Sequence, residues 1–226
     1  MSFDELPTAL PAHWGVFREL QVRRHGGVLT VGFDRPAKRN AIGVEMTLEI
    51  ERLAQAALGD TESCVLVFHG CGSHFCAGMD MKDFFDQSER DAATLKRARA
   101  ATDNWRARQL RNLPQVRIAA VSGYCLGGAL PILECADIVL ADDSAIFGLP
   151  EINFGFVPGG PIAKSARNAL SVRASSYAAL TGRPFDAAQA QRWGLVTNLL
   201  PPAELEPETL RLARTIAGRL KGLQAS

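Results

Sequence analysis

Four side chains of the types that bind metal ions lie within one short stretch, HGCGSHFC. The stretch contains two histidines and two cysteines, at His69, Cys71, His74 and Cys76. Imidazole and thiolate groups are suitable zinc ligands, but structural zinc sites usually join one close pair of ligands to a second, distant pair. No such distant pair follows in this sequence. The pattern therefore favours a connecting loop, with the thiol of Cys76 buried as a small apolar group.

Cys125 is a second candidate for chemistry, as a nucleophile. The stretch Gly123-Tyr124-Cys125-Leu126-Gly127 matches the G-x-nucleophile-x-G turn that joins a strand to a helix in α/β-hydrolases. In that fold the histidine base follows the nucleophile along the chain, whereas all four histidines of this sequence precede Cys125. Because the thiol would lack its base, we interpret Cys125 as a packed residue beside a glycine turn.

Two glycine-bearing turns offer a different chemistry, through the backbone. Gly127 and Gly128 lie where a predicted strand gives way to a predicted helix, so backbone N–H groups there have no acceptor within the helix. Ala77-Gly78-Met79 forms a second such turn after a predicted buried strand. Two N–H groups that converge on one oxygen form an oxyanion hole, which stabilises negative charge on a carbonyl or thioester oxygen.

Glu151 is the candidate acid or base for such a site. It follows Gly148-Leu149-Pro150 and precedes four apolar residues, Ile152, Phe154, Phe156 and Val157. A carboxyl group in apolar surroundings has a raised pKa, because burial disfavours its charged form. We therefore expect the pKa of Glu151 to lie nearer the range that is useful for proton transfer at neutral pH.

The elements that would position these groups alternate between strands and helices. Apolar runs bounded by glycine and proline predict strands at 28–33, 65–68, 116–121, 138–140 and 195–200. Apolar residues at helical spacing predict helices at about 44–58, 92–113, 129–136, 161–170, 172–180 and 204–221, with a short helix capped by Asp186. This alternation predicts an α/β fold, and the lack of a linker or repeat predicts a single domain over residues 1–226.

Composition narrows the classes of function. The chain has 226 residues, of which 47% are apolar, 25 are basic and 24 are acidic. This balance argues against nucleic-acid or membrane-surface binding driven by overall charge, and no segment is long and apolar enough to span a bilayer. The five cysteines lack the spacing of a disulfide framework. We therefore expect a soluble, cytoplasmic protein with reduced thiols.

Several motifs, in the same order along the chain, resemble the crotonase (enoyl-CoA hydratase/isomerase) family over about residues 20–220. The motifs are RPAKRNA at 35–41, FCAGMD at 75–80, GYCLGGA at 123–129, CAD at 135–137, FGLPEINFGFVPGG at 147–160 and WGLV at 193–196. The resemblance implies a spiral of ββα units, assembled as a homotrimer or a dimer of trimers. It implies a lyase or isomerase whose substrates are acyl-CoA thioesters and which uses no prosthetic group or metal.

The resemblance also implies roles for individual residues. The thioester oxygen would be held by the backbone N–H groups of Met79 and Gly128. Glu151 would transfer protons as an enolate forms and collapses. The nucleotide and pantetheine of coenzyme A would lie against two segments, at residues Lys38, Arg39, Ala41, Ala77, Asp80 and Met81.

The sequence departs from the hydratases of this family at one catalytic position. Those enzymes carry a second glutamate three residues after the oxyanion glycine, where this chain has Pro131. Paired activation of a water molecule is therefore not expected. Family members that keep only the equivalent of Glu151 include isomerases, decarboxylases and hydroxycinnamoyl-CoA (feruloyl-CoA) hydratase-lyases. The motifs at 77–82 and 151–155 resemble the hydratase-lyases most, which points to an aromatic enoyl-CoA.

The second departure is length. The chain ends at Ser226, before the final helices of the family, so the helical part at about 200–226 is expected to be truncated. In the hydratase-lyases those helices supply a tyrosine to the phenol end of the substrate, and neither Tyr124 nor Tyr177 occupies that place. Two alternatives stay open at this point: a different acyl-CoA reaction, such as isomerisation or decarboxylation, and a weakly active CoA-binding accessory protein.

Overall fold

Strands and helices alternate along the chain, and the predicted α/β fold is confirmed. The computed structural model describes residues 2–7, 10–85 and 91–224. Its strands are β1 (Leu20–His25), β2 (Val28–Phe33), β3 (Val65–Gly70), β4 (Val116–Val121), β5 (Tyr124–Leu126), β6 (Ile138–Asp142), β7 (Ile146–Gly148), β8 (Phe185–Asp186) and β9 (Asn198–Leu200). Its α-helices are α1 (Val44–Leu58), α2 (Met81–Phe85), α3 (Ala92–Asn104), α4 (Leu130–Cys135), α5 (Gly160–Ala169), α6 (Val172–Thr181), α7 (Ala187–Arg192) and α8 (Pro202–Gln224). Short 3₁₀ helices lie at Phe3–Glu5, Ala12–Trp14, Pro36–Lys38, Leu110–Asn112, Gly127–Ala129 and Pro150–Phe154.

Six strands form the main sheet, in the order β1-β2-β3-β4-β6-β9. β1 and β2 pair in antiparallel orientation, and the other neighbours pair in parallel. Along β3, Leu66 and Phe68 face the core that contains α1, whereas Val65 and Val67 face α8. Side chains of a strand alternate between the two faces of its sheet, so a strand covered on both faces needs a continuous apolar run.

A second layer of short extended segments accompanies the main sheet. β5 pairs in parallel with β7, and β7 pairs with β8. Isolated bridges extend this layer, because Cys76 pairs with Cys125 and Ile42 pairs with Met79. β2, β3, β4 and β6 are thus each followed by a short segment in the second layer and then by helical structure. This arrangement is the spiral of ββα units that the sequence resemblance implies, and it is confirmed.

The region predicted as one helix over 92–113 is helical but changes type along its length. Asp91 caps α3 by accepting a hydrogen bond from the backbone N–H of Thr94 (2.8 Å). After Asn104 the helix widens into a π-helical turn at Trp105–Gln109, and a 3₁₀ turn then ends it before Pro114. Trp105 is fully buried, as its place on the apolar stripe predicted.

Other differences from the predicted elements concern short segments. β5, β7 and β8 were not predicted, because strands of two or three residues are too short to show an alternating pattern. The five-residue helix α2 and the longer strand β1, whose residues are mostly polar, were not predicted either. The strand predicted at 195–200 is confined to β9. The predicted C-terminal helix corresponds to α8, and residues 225–226 lie outside the described residues. Among the helices of the described residues, none has the length and apolar character needed to cross a membrane.

Candidate active site

The chain segment after β3 runs directly beside the segment after β4. The backbone N–H of Cys76 donates to the carbonyl oxygen of Tyr124 (2.8 Å), and the N–H of Leu126 donates to that of Cys76 (3.1 Å). Gly78 lies at the contact with a φ of +93°. A Cβ atom at Gly78 would lie 2.7 Å from the carbonyl oxygen of Leu126 and 3.4 Å from the nitrogen of Gly128. Glycine is therefore required, both for the backbone conformation and for the close approach of the two turns.

The backbone N–H groups of Met79 and Gly128 flank this contact. Hydrogen bonds run from Ile42 N–H to Gly78 O (2.8 Å) and from Asp80 N–H to Ile42 O (2.9 Å), so this pairing does not use the N–H of Met79. Gly128 is the second residue of the 3₁₀ turn after β5, where backbone N–H groups have no acceptor within the helix. The structure thus brings together the two predicted oxyanion donors, and their catalytic use stays a prediction.

Glu151 lies on the 3₁₀ helix Pro150–Phe154 and is only 7% exposed. A Cβ atom at Gly127 would lie 2.7 Å from Oε1 of Glu151, so this glycine lets the carboxyl group approach the turn. Burial raises the pKa of Glu151, while a hydrogen bond to its own backbone and the charge of Arg106 offset part of the increase. Its Oε2 has no hydrogen-bond partner among the described residues. One carboxyl oxygen is therefore buried without a protein partner among the described residues, on a residue that lines the cavity described below.

Arg106 is a candidate functional residue that the sequence interpretation missed. It lies on the π-helical turn, and its Nη2 donates to the carbonyl oxygen of Gly128 (3.2 Å) and contacts the Sδ atom of Met79 at 2.6 Å. Burial lowers the pKa of Arg106 to about 10, so the guanidinium is still charged at neutral pH. The available signal was its position four residues after Thr102, which places a cation on the buried side of the helix.

These groups line one cavity of about 710 Å³. Arg39, Ala77 and Met81, three of the predicted CoA-binding residues, also lie on its wall. The wall is largely apolar in the described residues, with side chains from Met79, Phe84, Leu126, Pro150, Phe154, Phe156 and Ile162. A concave, mostly apolar cavity with a few placed polar groups is typical of a small-molecule site.

Of the other predicted CoA-binding residues, Lys38 and Asp80 are next in sequence to residues of the wall, and Ala41 lies two residues after Arg39. Lys38 and Arg35 each pair with the carboxylate of Asp80, at 3.0 and 3.2 Å, and Arg35 donates to the carbonyl oxygen of Ala41 (2.6 Å). Burial opposes ionisation of Asp80, but the hydrogen bond from Lys38 and the nearby positive charges outweigh it and lower its pKa. This network fixes the 38–41 loop against the turn that carries Met79. Contact of these residues with coenzyme A stays a prediction.

The other side chains singled out from the sequence contact protein groups. Nδ1 of His74 accepts a hydrogen bond from the N–H of Tyr124 (3.2 Å), and burial lowers the pKa of His69 to about 4. Burial raises the pKa of the Cys76 thiol to about 12 and that of Cys125 well above its usual value. A thiol with a raised pKa is a poor nucleophile at neutral pH. In 2–7, 10–85 and 91–224, no three His, Cys, Asp or Glu side chains are grouped as metal ligands.

Pro131 is the residue that the sequence resemblance aligns with the second glutamate of hydratases. It is buried as the second residue of α4, where its missing N–H group costs little. The carboxyl groups on the described cavity wall are those of Glu151 and Asp103, and Asp103 is exposed to solvent. The buried acid or base that the described wall offers is therefore Glu151.

Comparison with known proteins gives consistent matches. Residues 23–223 match the profile of a family described as Enoyl-CoA hydratase/isomerase. The hydroxycinnamoyl-CoA hydratase-lyase of Pseudomonas fluorescens is 32% identical over 203 residues, which cover 89% of this chain and 74% of that protein. The 2,3-dehydroadipyl-CoA hydratase of Escherichia coli (strain K12) is 35% identical over 200 residues, which cover 88% and 76%. The crystal structure of an enoyl-CoA hydratase/isomerase from Marinobacter aquaeolei matches with a TM-score of 0.79 and 26% identity, over 88% of this chain and 76% of that one.

Proposed function

Because the chain belongs to the enoyl-CoA hydratase/isomerase family, we propose that it is an enzyme that transfers protons on an acyl-CoA thioester through an enolate. The named relatives are hydratases and a hydratase-lyase of CoA thioesters, which supports this class of substrate. One observation carries the proposal: the buried carboxyl group of Glu151, with an oxygen that lacks a partner among the described residues, lies against the turn of Gly127 and Gly128.

The proposed reaction begins when ionised Glu151 removes a proton from the carbon next to the thioester carbonyl. The C–H electron pair forms a C=C bond, and the carbonyl π pair moves onto oxygen to give an enolate. The N–H groups of Met79 and Gly128 donate to this oxygen, and each such donor typically contributes about 10²–10³ in rate. As the carbonyl forms again, protonation of the γ carbon by Glu151 gives isomerisation. Departure of a β-hydroxyl group as water, with the proton from Glu151, gives dehydration, and the reverse gives hydration.

The acyl group is a separate part of the proposal. The name of the Pseudomonas relative supports an aromatic enoyl-CoA, in agreement with the motifs at 77–82 and 151–155. However, neither Tyr124 nor Tyr177 lies on the described cavity wall, so a substrate phenol would find no tyrosine partner there. An aliphatic enoyl-CoA is therefore an equal candidate, and a substrate panel should contain both types.

Replacement of Glu151 by glutamine tests the proposed reaction. Crotonyl-, 3-enoyl-, methylglutaconyl-, 2,3-dehydroadipyl- and feruloyl-CoA are assayed for change in thioester-conjugated absorbance. We expect wild-type protein to turn over at least one of them. Glu151→Gln should lose turnover and keep thioester binding, because glutamine preserves the shape of the side chain but cannot accept the proton. The control is Glu208→Gln, which affects a partly exposed carboxylate paired with Arg211 on α8, away from the described cavity wall.

Two outcomes would contradict this proposal. Unchanged turnover by Glu151→Gln would remove Glu151 from the mechanism. Tight binding of CoA thioesters by the wild-type protein, without turnover of any member of the panel, would favour the CoA-binding accessory protein instead.

We further propose that residues 1–226 form one domain that assembles as a homotrimer or a dimer of trimers. Large apolar side chains are exposed on the segment that follows Glu151 and on α6, and a neighbouring subunit could cover them: Phe154, Phe156, Val157, Val172, Tyr177 and Leu180. Sedimentation equilibrium tests this assembly, and a monomer at micromolar concentration would contradict it. The five free cysteines support a proposed location in a reducing compartment such as the cytoplasm.

A further inference from the structure

Arg106 is a buried cation that forms no hydrogen bond or close ion pair with a carboxylate of the described residues, although Asp103 and Glu151 act on its charge from a greater distance. Arg106 is only 7% exposed, and its Nε atom has no hydrogen-bond partner in the described part of the chain. Its contacts go to a neutral carbonyl oxygen, of Gly128, and to a thioether, of Met79. Burial of an unpaired charge is costly, so buried arginines are usually paired with an acid. The missing anion therefore needs an explanation.

The cavity is the place from which an anion can reach this guanidinium. Arg106 lies on the same wall as Glu151, Met79 and Gly128. Because it contacts the two residues that would hold the thioester oxygen, an anion bound to it lies within a few bonds of the thioester carbonyl. A guanidinium has five N–H donors in a planar fork, and the two contacts of Nη2 leave several of them for a ligand.

The local backbone independently marks the position of Arg106. The helix that carries it changes from α to π bonding at Trp105–Gln109, and α3 before it is regular. Single π turns within α-helices are uncommon and occur frequently at functional sites. Here the π turn has a definite result, since it presents the guanidinium of Arg106 at the cavity wall while Trp105 stays fully buried.

We propose that Arg106 binds a carboxylate carried by the acyl group, so that the preferred substrates are short carboxyacyl-CoA thioesters. Arginine and carboxylate form short, paired, charge-assisted hydrogen bonds, and exclusion of water from the site strengthens them. This inference rests on the proposed function, because it takes the thioester to lie between Met79 and Gly128. It specifies the acyl group of the substrate, which the sequence motifs and the positions of the two tyrosines left undecided.

The test uses saturated thioesters, which bind without reacting. Calorimetric titration compares glutaryl-CoA with pentanoyl-CoA, which have equal chain length and differ in a terminal carboxylate against a methyl group. Succinyl-CoA compared with butanoyl-CoA, and adipyl-CoA compared with hexanoyl-CoA, then measure the distance of the carboxylate site from the thioester. We expect the wild-type protein to bind one of the carboxyacyl thioesters at least tenfold more tightly than the neutral one, and Arg106→Gln to abolish that preference with little change in pentanoyl-CoA binding.

Two further variants separate substrate recognition from a purely structural role. Arg106→Lys keeps the charge without the planar fork and should keep part of the preference. Arg211→Gln removes an exposed arginine of α8 that does not lie on the described cavity wall, and it should leave the preference unchanged. If Arg106→Gln weakens both thioesters equally, Arg106 only positions the oxyanion turn and the proposal is overturned.

The failure of this inference is distinguishable from failure of the proposed function. Equal binding of the carboxyacyl thioester and its neutral counterpart by the wild-type protein, at every chain length, would overturn the carboxylate proposal alone. If the wild-type protein bound none of the CoA thioesters, both the carboxylate proposal and the proposed function would be overturned. Because the wild-type comparison needs no substitution, it decides the question even where an Arg106 variant fails to fold.

Discussion

Replacement of Gly78 by alanine tests the close contact between the two glycine turns and changes no other residue of the site. The new methyl group would lie 2.7 Å from the carbonyl oxygen of Leu126, whereas ordinary contact begins at 3.4 Å. This obstacle is backbone rather than a movable side chain, so the turns must separate. A separation of about 0.7 Å approaches the 1 Å misplacement that can cost about a hundredfold in rate.

Gly78→Ala should lower both the catalytic rate and the thermal stability of the protein, and the two losses are measured separately. The N–H of Met79 moves with its neighbour, and loss of one oxyanion donor costs about 10²–10³ in kcat. Alanine at a positive φ also costs about 1–3 kcal/mol of stability. For a chain of this size, each kcal/mol lowers Tm by about 2–4 °C. We therefore expect at least a hundredfold loss of kcat in a protein that is still folded at 25 °C.

Gly194→Ala is the matched control for this prediction. Gly194 has a φ of +87°, close to the +93° of Gly78, but a Cβ atom there meets no atom of the described residues within 4 Å. It should show the loss of Tm without the loss of kcat, measured with the thioester that the wild-type protein turns over fastest. If folded Gly78→Ala kept kcat within threefold of wild type, the N–H of Met79 would not be an oxyanion donor. An equal loss of kcat in both variants would attribute the effect to backbone strain.

Three further predictions concern charge and thiol chemistry. Arg106→Gln removes a cation that lowers the pKa of Glu151, so the limb of the pH profile of kcat/KM that reports ionisation of Glu151 should move to higher pH; an unchanged limb would mean that the two groups do not interact. The pKa of Asp80 is lower in the folded than in the unfolded state, so its stabilising contribution is complete above about pH 4 and is lost as pH falls through the folded pKa. As pH falls below about 4, the Tm of the wild-type protein should therefore fall more than that of Asp80→Asn. An equal fall in Tm would contradict a stabilising role for the ion pairs of Asp80 with Lys38 and Arg35. Cys125→Ala should keep turnover within about threefold, since its thiol is buried and protonated at neutral pH; loss of turnover in a folded variant would restore the thiol as a nucleophile.

The parts of the site that depend on local backbone chemistry were predictable from the sequence. Gly78 and Gly127 both adopt positive φ values at turns, and both allow an approach that a side chain would block. Glu151 lies in an apolar segment, and burial raises its pKa in the direction that the segment indicated. The turns follow from residues close in sequence, but the burial of Glu151 does not, because Phe154, Phe156 and Val157 are exposed and the carboxyl group packs against the distant Gly127 turn.

The features that escaped prediction depend on contacts between distant segments or on unusual helix geometry. Strands of two or three residues, such as β5 and β8, form because the spiral places them beside partners, and their own residues carry no pattern. The stripe over 92–113 did contain a signal, because its last step is five residues long, between Trp105 and Leu110. A step of five suits π bonding rather than α bonding. Read in that way, the stripe would have directed attention to Arg106.

The π turn at Trp105–Gln109 also offers a simple route by which the substrate preference of this chain could change in evolution. Such a turn holds one residue more than α-helical bonding needs, so deletion of a single residue there could restore a regular helix. One residue corresponds to a rotation of about 100° around the helix axis, which would take Arg106 from the cavity wall. The glycine turns and Glu151 lie on other segments and would stay in place. A single-codon deletion could thus exchange one acyl preference for another while Glu151 stays in place, with a higher pKa because the nearby positive charge is gone.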